Sequence, residues 1–221
     1  MVTIDCTGKE IRQINQELKT LAKNEPEIAL ANPGARHLLA VGLIAPVKLT
    51  IQGSAGYFCA GLSDGPEVRV QNNAGWCLAE NMMHGCMIVE KNTGLAAGSA
   101  LVGADVVVRG NAGSRVGQVM KKGNIIVGGN AAHKAGFMML GGRIVICGDA
   151  GDAVGEFMIR GEIFVGGKMG GLGADAQESE CSAADRETLA EILDFYGVAA
   201  PPTFRKIVSA AKQQKYDKRQ D

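Results

Sequence analysis

Residues 105–161 read DVVVRGNAGSRVGQVMKKG, NIIVGGNAAHKAGFMMLGG and RIVICGDAGDAVGEFMIRG, three blocks of nineteen residues that superpose without a gap. The broken block EIFVGGKMGGLGADA continues them from Glu162, and VKLTIQGSAGYFCAGLSDG precedes them from Val47, with an imperfect pair of blocks between. One column of this lattice is Leu49, Val68, Met87, Val106, Ile125, Ile144 and Ile163; the column two residues on is Ile51, Val70, Val89, Val108, Val127, Ile146 and Val165. Both are apolar throughout. A spacing of two is the strand period, so the two columns share one face.

Glycine completes the repeat. The chain holds 31 glycines among 221 residues, about twice the ~7% background. Fifteen of them fall on three columns: Gly53, Gly110, Gly129, Gly148 and Gly167; Gly56, Gly75, Gly94, Gly113, Gly151 and Gly170; and Gly98, Gly117, Gly136 and Gly155. Nineteen residues are too few for a strand-helix-strand unit or a propeller blade. They suit one coil of a solenoid in which each coil stacks at ~4.8 Å on the last and glycine serves bends with positive φ or close approach. The expected fold is all-β: a single-stranded, right-handed parallel β-helix of about seven coils with capping α-helices at both ends. Its core ladder includes Val108, Val127, Ile146 and Val165.

The flanks divide the chain into an N-terminal arm and helix (1–46), the β-helix (47–176) and C-terminal helices with a basic tail (177–221). Ile11, Ile14, Leu18 and Leu21 lie on one helical face. Ser182 with Asp185 three residues on caps a helix carrying Leu189, Ile192 and Leu193 that stops at Gly197. Pro201 and Pro202 open a shorter expected helix with Phe204, Ile207 and Val208, and KQQKYDKRQD reads as a frayed tail.

Composition narrows the function classes. Hydrophobic residues make up 46% and charged ones 21%, which excludes disorder. Lys and Arg total 23 against 23 Asp and Glu, so the electrostatic footprint of a nucleic-acid or anionic-membrane binder is missing. No apolar run reaches spanning length and MVTIDCTGKE does not read as a signal peptide, so a cytoplasmic protein is expected. Cys6, Cys59, Cys77, Cys86, Cys147 and Cys181 form no C-x-x-C pair and read as buried free thiols.

Catalytic signatures are sparse. GGKMGGLGAD (166–175) and GGNAAHKAG (128–136) fall on the lattice of bends and open no predicted helix, so they do not read as phosphate loops. His37 and His84 have no spaced partner, and the column of Met82, Leu101, Met120, Met139 and Met158 reads as core, not as a soft metal site. An enzymatic reading would rest on His133, Lys134 and Asp152, because adjacent coils bring His133 and Asp152 within ~5 Å at the backbone. No residue is assigned a catalytic, cofactor or metal role.

One column carries functional weight. The outward position of the strand reads Thr50, Arg69, then Ile88, Val107, Ile126, Val145 and Phe164, apolar where a solvated strand shows polar residues. Such a stripe must be covered, either by the terminal helices or by partner subunits. The expectation carried forward is a partner interface at Ile88, Val107, Ile126, Val145 and Phe164.

The blocks VRGNAGSRVGQVMKKGNIIVGGNA and VICGDAGDAVGEFMIRGEIFVGG resemble the G-x-G-x-G β-helix family, which includes the C-terminal domain of the glutamate synthase large subunit and a subunit of formylmethanofuran dehydrogenase. The layout of VTIDCTGKEIRQINQELK, NPGARHLLAVGL, LGADAQESE, TLAEILDFYGV and FRKIVSAAKQQKY around the repeat is similar to the stand-alone β-helix subunits of N-methylglutamate synthase, which joins methylamine to glutamate and releases ammonia. The resemblance implies a non-catalytic subunit that docks an amidotransferase-like chain and an FMN-binding, glutamate-synthase-like chain. FMN and an iron-sulfur cluster then belong to a partner chain. A formylmethanofuran dehydrogenase counterpart would need molybdenum or tungsten partners instead. Asn72, Lys91 and Ala132 depart from the glycine pattern, marking either a partner contact or drift.

Overall fold

Repeating coils fix the architecture. In the computed structural model, which describes residues 1–210, strands β1 (Val2–Asp5), β2 (Glu27–Ala31), β3 (Lys48–Ile51), β4 (Glu67–Val70), β5 (Cys86–Val89), β6 (Asp105–Val108), β7 (Asn124–Val127), β8 (Arg143–Ile146) and β9 (Glu162–Val165) lie side by side in chain order, all parallel. From β3 to β9 each residue pairs with the one nineteen later, so Val108 lies on Val127, Val127 on Ile146 and Ile146 on Val165. Seven coils therefore form one parallel β-helix. Both inward columns are buried along their whole length. Each aliphatic side chain so buried is worth about 1.5–3 kcal/mol.

The methionine column is a second inner ladder. Met82, Leu101, Met120, Met139 and Met158 are fully buried and pack in the same core as the strand residues. Unbranched thioether chains fill irregular space between stacked turns without requiring one rotamer shape.

The ladder runs past 47–176 on both sides. At the N-terminal end β2 pairs with β3 and β1 with β2, again parallel, and helix α1 (Ile11–Leu21) buries Ile14 and Leu18 against them. The Gln13 side chain accepts from the Glu10 N–H at 2.9 Å, satisfying a donor before the first turn. At the far end the segment 205–209, expected as a helix, is instead strand β11 (Arg205–Ser209). It runs antiparallel between β9 and β10 (Ala176–Ser179). The open edge of β9 explains the difference: four unpaired backbone groups outweigh a weak helical preference, and the alternation of Ile207 inward with Lys206 outward fits a strand. Ile207 closes the inner ladder over Ile163.

Helix α2 (Ala183–Phe195) forms where its cap predicts. Asp185 N–H donates to Ser182 Oγ at 3.1 Å and Ser182 N–H donates to Asp185 Oδ2 at 2.8 Å. The chain reverses at Gly197 with φ of +61°. The expected tail, 212–221, lies outside the described residues.

Candidate interaction surface

Three flanks make up each coil: the strand, a bend after it, and a long turn arc that returns to the next strand. The strand flank is where the sequence placed a partner interface, and the structure corrects that placement. Val107, Ile126, Val145 and Phe164 are completely buried under α2, packed with Leu189 and Leu193 and flanked by Ile192, Tyr196, Val198 and Phe204. The spacing of Leu189, Ile192, Leu193 and Tyr196 puts all four on one helical stripe, which matches the apolar column of the strands. Ile88 alone of the five stays half-buried. It borders an open groove of about 580 Å³ between Lys48, Glu67, Arg69 and the exposed Phe195.

Polar contacts fasten the helix in place. Arg109 donates to the Gly197 and Tyr196 carbonyls, both at 3.0 Å, and pairs with Glu90 at 3.0 Å. A cation at the C-terminal end of a helix also meets the negative end of its dipole. Tyr196 donates to Asp105 Oδ2 at 2.6 Å, and burial with that carboxylate drives its phenol well above the ordinary range. Lys206 bridges Glu162 at 2.6 Å and Asp185 at 2.9 Å, joining β11, β9 and α2. Burial pushes against ionisation of Asp185, but Lys206 and the Ser182 hydrogen bonds outweigh it and bring its carboxyl down to about 2.

The bend flank carries a ladder that a search by hydrophobicity passes over. Asn73, Asn92, Asn111, Asn130 and Asp149 stand nineteen residues apart. Each side-chain oxygen accepts from the backbone N–H one coil above, at 3.1 Å for Asn92, 2.8 Å for Asn111, Asn130 and Asp149, and 2.7 Å for Lys168. Gly129, just before Asn130, is required by this packing, since a Cβ there would strike Asn111 Oδ1 and come within 2.9 Å of the Gly110 carbonyl. The signal was in the sequence as a strict polar column. Asn72, Lys91 and Ala132 lie on this flank.

The same flank places the residues of the enzymatic reading. His133 Nδ1 and Asp152 Oδ2 stand 3.5 Å apart but both side chains are mostly in water, 64% and 71% exposed. Lys134 turns away to Glu156 at 2.6 Å. His37, Tyr57 and Trp76 stack face to face at 4.2 and 4.8 Å, so the ring faces are spent on one another. The stretches 128–136 and 166–175 run through bends and lead into no helix.

Cysteine chemistry is subdued. All six are free; Cys6 and Cys59 are buried and the other four are half-buried, fewer fully buried than the sequence suggested. Burial pushes Cys59 up to about 12 and Cys77, Cys86 and Cys147 to about 11, which suppresses the reactive thiolate. Among the described residues no three His, Cys, Asp or Glu side chains converge as metal ligands, and no helix is long and apolar enough to cross a membrane.

The turn arc is the flank the sequence reading missed. On either side of the buried methionine column the side chains face out, and in the later coils they are large and apolar: Met138 is 45%, Leu140 36%, Phe157 47% and Ile159 48% exposed. Val102 and Leu62 extend the strip along the rod. The arc also holds the left-handed backbone that glycine was expected to supply. Arg115, Val119, Lys134, Met138 and Phe157 all have φ between 54° and 60°. Stacked turns impose that conformation through hydrogen bonds from coil to coil, such as Val119 N–H to the Phe137 carbonyl at 2.9 Å and Met138 N–H to the Glu156 carbonyl at 2.8 Å.

No protein-family model matches the chain. A stretch of 91 residues, 40% of this chain, is 37% identical to Protein GlxC of Rhizobium meliloti strain 1021, and the match spans 40% of that protein's length. Among solved structures, a chain of the formyltransferase/hydrolase complex FhcABCD from Methylorubrum extorquens, determined with methylofuran, superposes with a TM-score of 0.71. It is 22% identical, and the superposition covers 90% of this chain and 85% of that one. Stacked nineteen-residue coils, with a turn arc that the described residues leave uncovered, are thus set in a fold shared with a chain of FhcABCD, and part of the sequence is similar to GlxC.

Proposed function

We propose that this chain is a non-catalytic structural subunit of a glutamate-synthase-like complex, in its most specific form N-methylglutamate synthase. That enzyme converts methylamine and L-glutamate to N-methyl-L-glutamate and ammonia. The chain docks an amidotransferase-like subunit and a synthase subunit that carries FMN and an iron-sulfur cluster, and it holds their sites at a fixed separation. The observation that carries this reading is the apolar turn arc that the described residues leave uncovered along the rod. Exposed apolar ribbons of this kind on a folded chain mark contact surfaces. The partial match to GlxC and the superposition on a chain of FhcABCD, itself one part of an assembly, agree with a subunit role.

The test is to isolate the tagged chain from its own host, record the visible spectrum of the assembly and assay methylamine-dependent release of ammonia from glutamate. A flavin-containing assembly that turns over, beside an isolated chain that does not, is the expected result. Turnover by the isolated chain would overturn it. The structural likeness to a chain of FhcABCD favours a second reading, a one-carbon formyl-transfer assembly. An isolated complex that releases formate from a formylated furan, with no flavin band, would select it.

A further inference from the structure

We propose that the turn arcs of the coils beginning at Asp105, Asn124 and Arg143 form the docking site for a partner protein whose contact face is apolar and rimmed with carboxylates. This rests on the structural-subunit reading and adds to it a location and a partner chemistry. Phe137, Met138, Leu140, Phe157 and Ile159 make the centre. Phe137 meets Phe157 edge to face at 6.1 Å, which locks two coils of the patch together. Among the described residues nothing covers it: α2 lies on the strand flank and β11 closes the far end.

Charge says what seats there. Between residues 115–122, 134–141 and 153–160 the arc carries Arg115, Lys121, Lys122, Lys134 and Arg160, against Glu156, which is held by Lys134 at 2.6 Å, and the exposed Asp175 in the turn beyond Phe157. Arg115 and Lys134 both lie over the Phe137 ring, at 5.6 and 5.5 Å, so two cations frame the apolar centre. A chain of zero net charge has gathered five cations around one patch. Such a rim steers and orients a partner of opposite sign.

Two other occupants fit less well. In the first three coils the same arc carries Asp64 and Glu80 and no Lys or Arg. A second copy turned end for end would meet five cations with those two carboxylates, one of which is already paired with His84 at 2.7 Å. An anionic membrane lying along the arc would meet the same two carboxylates unfavourably.

The experiment uses the tagged chain in the assembly isolated from its host. A carbodiimide joins lysine amines to carboxylates in direct contact, and the joined peptides are read by mass spectrometry. Bonds from Lys121, Lys122 or Lys134 to Asp or Glu of a different chain are expected. Retention of that chain is expected to fall at least tenfold in Met138→Asp/Phe157→Asp and in Lys121→Glu/Arg160→Glu, with thermal unfolding of the free variants within a few degrees of wild type. If the double apolar variant unfolds instead, the surface charge variant carries the test. Bonds from these lysines to Asp64 or Glu80 of a second copy would overturn the proposal. So would sedimentation of the isolated chain with phosphatidylserine vesicles, blocked by the charge variant. An assembly retained unchanged by both variants overturns the location alone; failure of any chain to accompany the tagged wild type overturns the subunit reading with it.

Discussion

The side chain of Asn111 and the missing side chain of Gly129 are two halves of one contact. The amide oxygen must reach the Asn130 N–H at 2.8 Å, and only a residue without Cβ leaves it room. Asn111→Ala is expected to cost about 0.5–1.5 kcal/mol, the net worth of one hydrogen bond. Gly129→Ala is expected to cost more, about 1–3 kcal/mol, because it forces side chain and backbone apart. The double variant should fall short of the sum, since the alanine no longer meets the amide. Urea midpoints measure all three, and a neutral Gly129→Ala would refute the pairing. At this scale the sequence was half legible. Glycine columns were visible as a repeat, but their reason was not, because the partner oxygen belongs to a residue eighteen positions earlier. The left-handed turns at Arg115, Lys134, Met138 and Phe157 were not legible, since none of those residue types favours that conformation and only the stacked coils impose it.

Helix α2 was readable as an element and unreadable as a neighbour. Ser182, Asp185 and Gly197 fixed its ends, yet whether it would lie on Val107, Ile126, Val145 and Phe164 depended on a tertiary match that no local pattern states. Strand β11 failed for a related reason: the demand came from the open edge of β9, forty residues away. The tie between these elements has a sign that pH reveals. Asp185 has its carboxyl lowered to about 2, below the ordinary value near ~3.9, by Lys206 and the Ser182 hydrogen bonds acting against burial. A depressed carboxyl contributes stability that is present above its unfolded value and lost as pH falls toward the folded one. Protection of the amides of residues 176–209 relative to their intrinsic exchange rates should therefore fall between about pH 4 and pH 2, before the central coils open, and Asp185→Asn should flatten that fall. Loss of protection that begins in β6 to β8, or a fall unchanged in Asp185→Asn, would contradict the assignment.

For the molecule as a whole, the period of nineteen was enough to give the β-helix, because one inward pair of side chains per coil repeats whatever surrounds it. It was not enough to show which outer flank stays bare. The strand-facing apolar stripe pointed to the strand flank, whereas the cations and exposed aromatics of the arc lie outside the strands and follow no period-two pattern. Everything proposed for this chain depends on coils that are interchangeable units. Deleting Glu67–Gly85, one full coil outside the ground covered by α2, would join Pro66 to Cys86 and bring β5 directly onto β3. The shortened chain is expected to fold cooperatively into a rod shorter by about 4.8 Å, whereas deletions of eighteen or twenty residues from the same point leave one central coil a residue too long or too short, so that its turn no longer stacks on its neighbours, and should unfold at a clearly lower temperature. Equal tolerance of all three deletions, measured by thermal unfolding and small-angle scattering, would contradict the stacked-coil account.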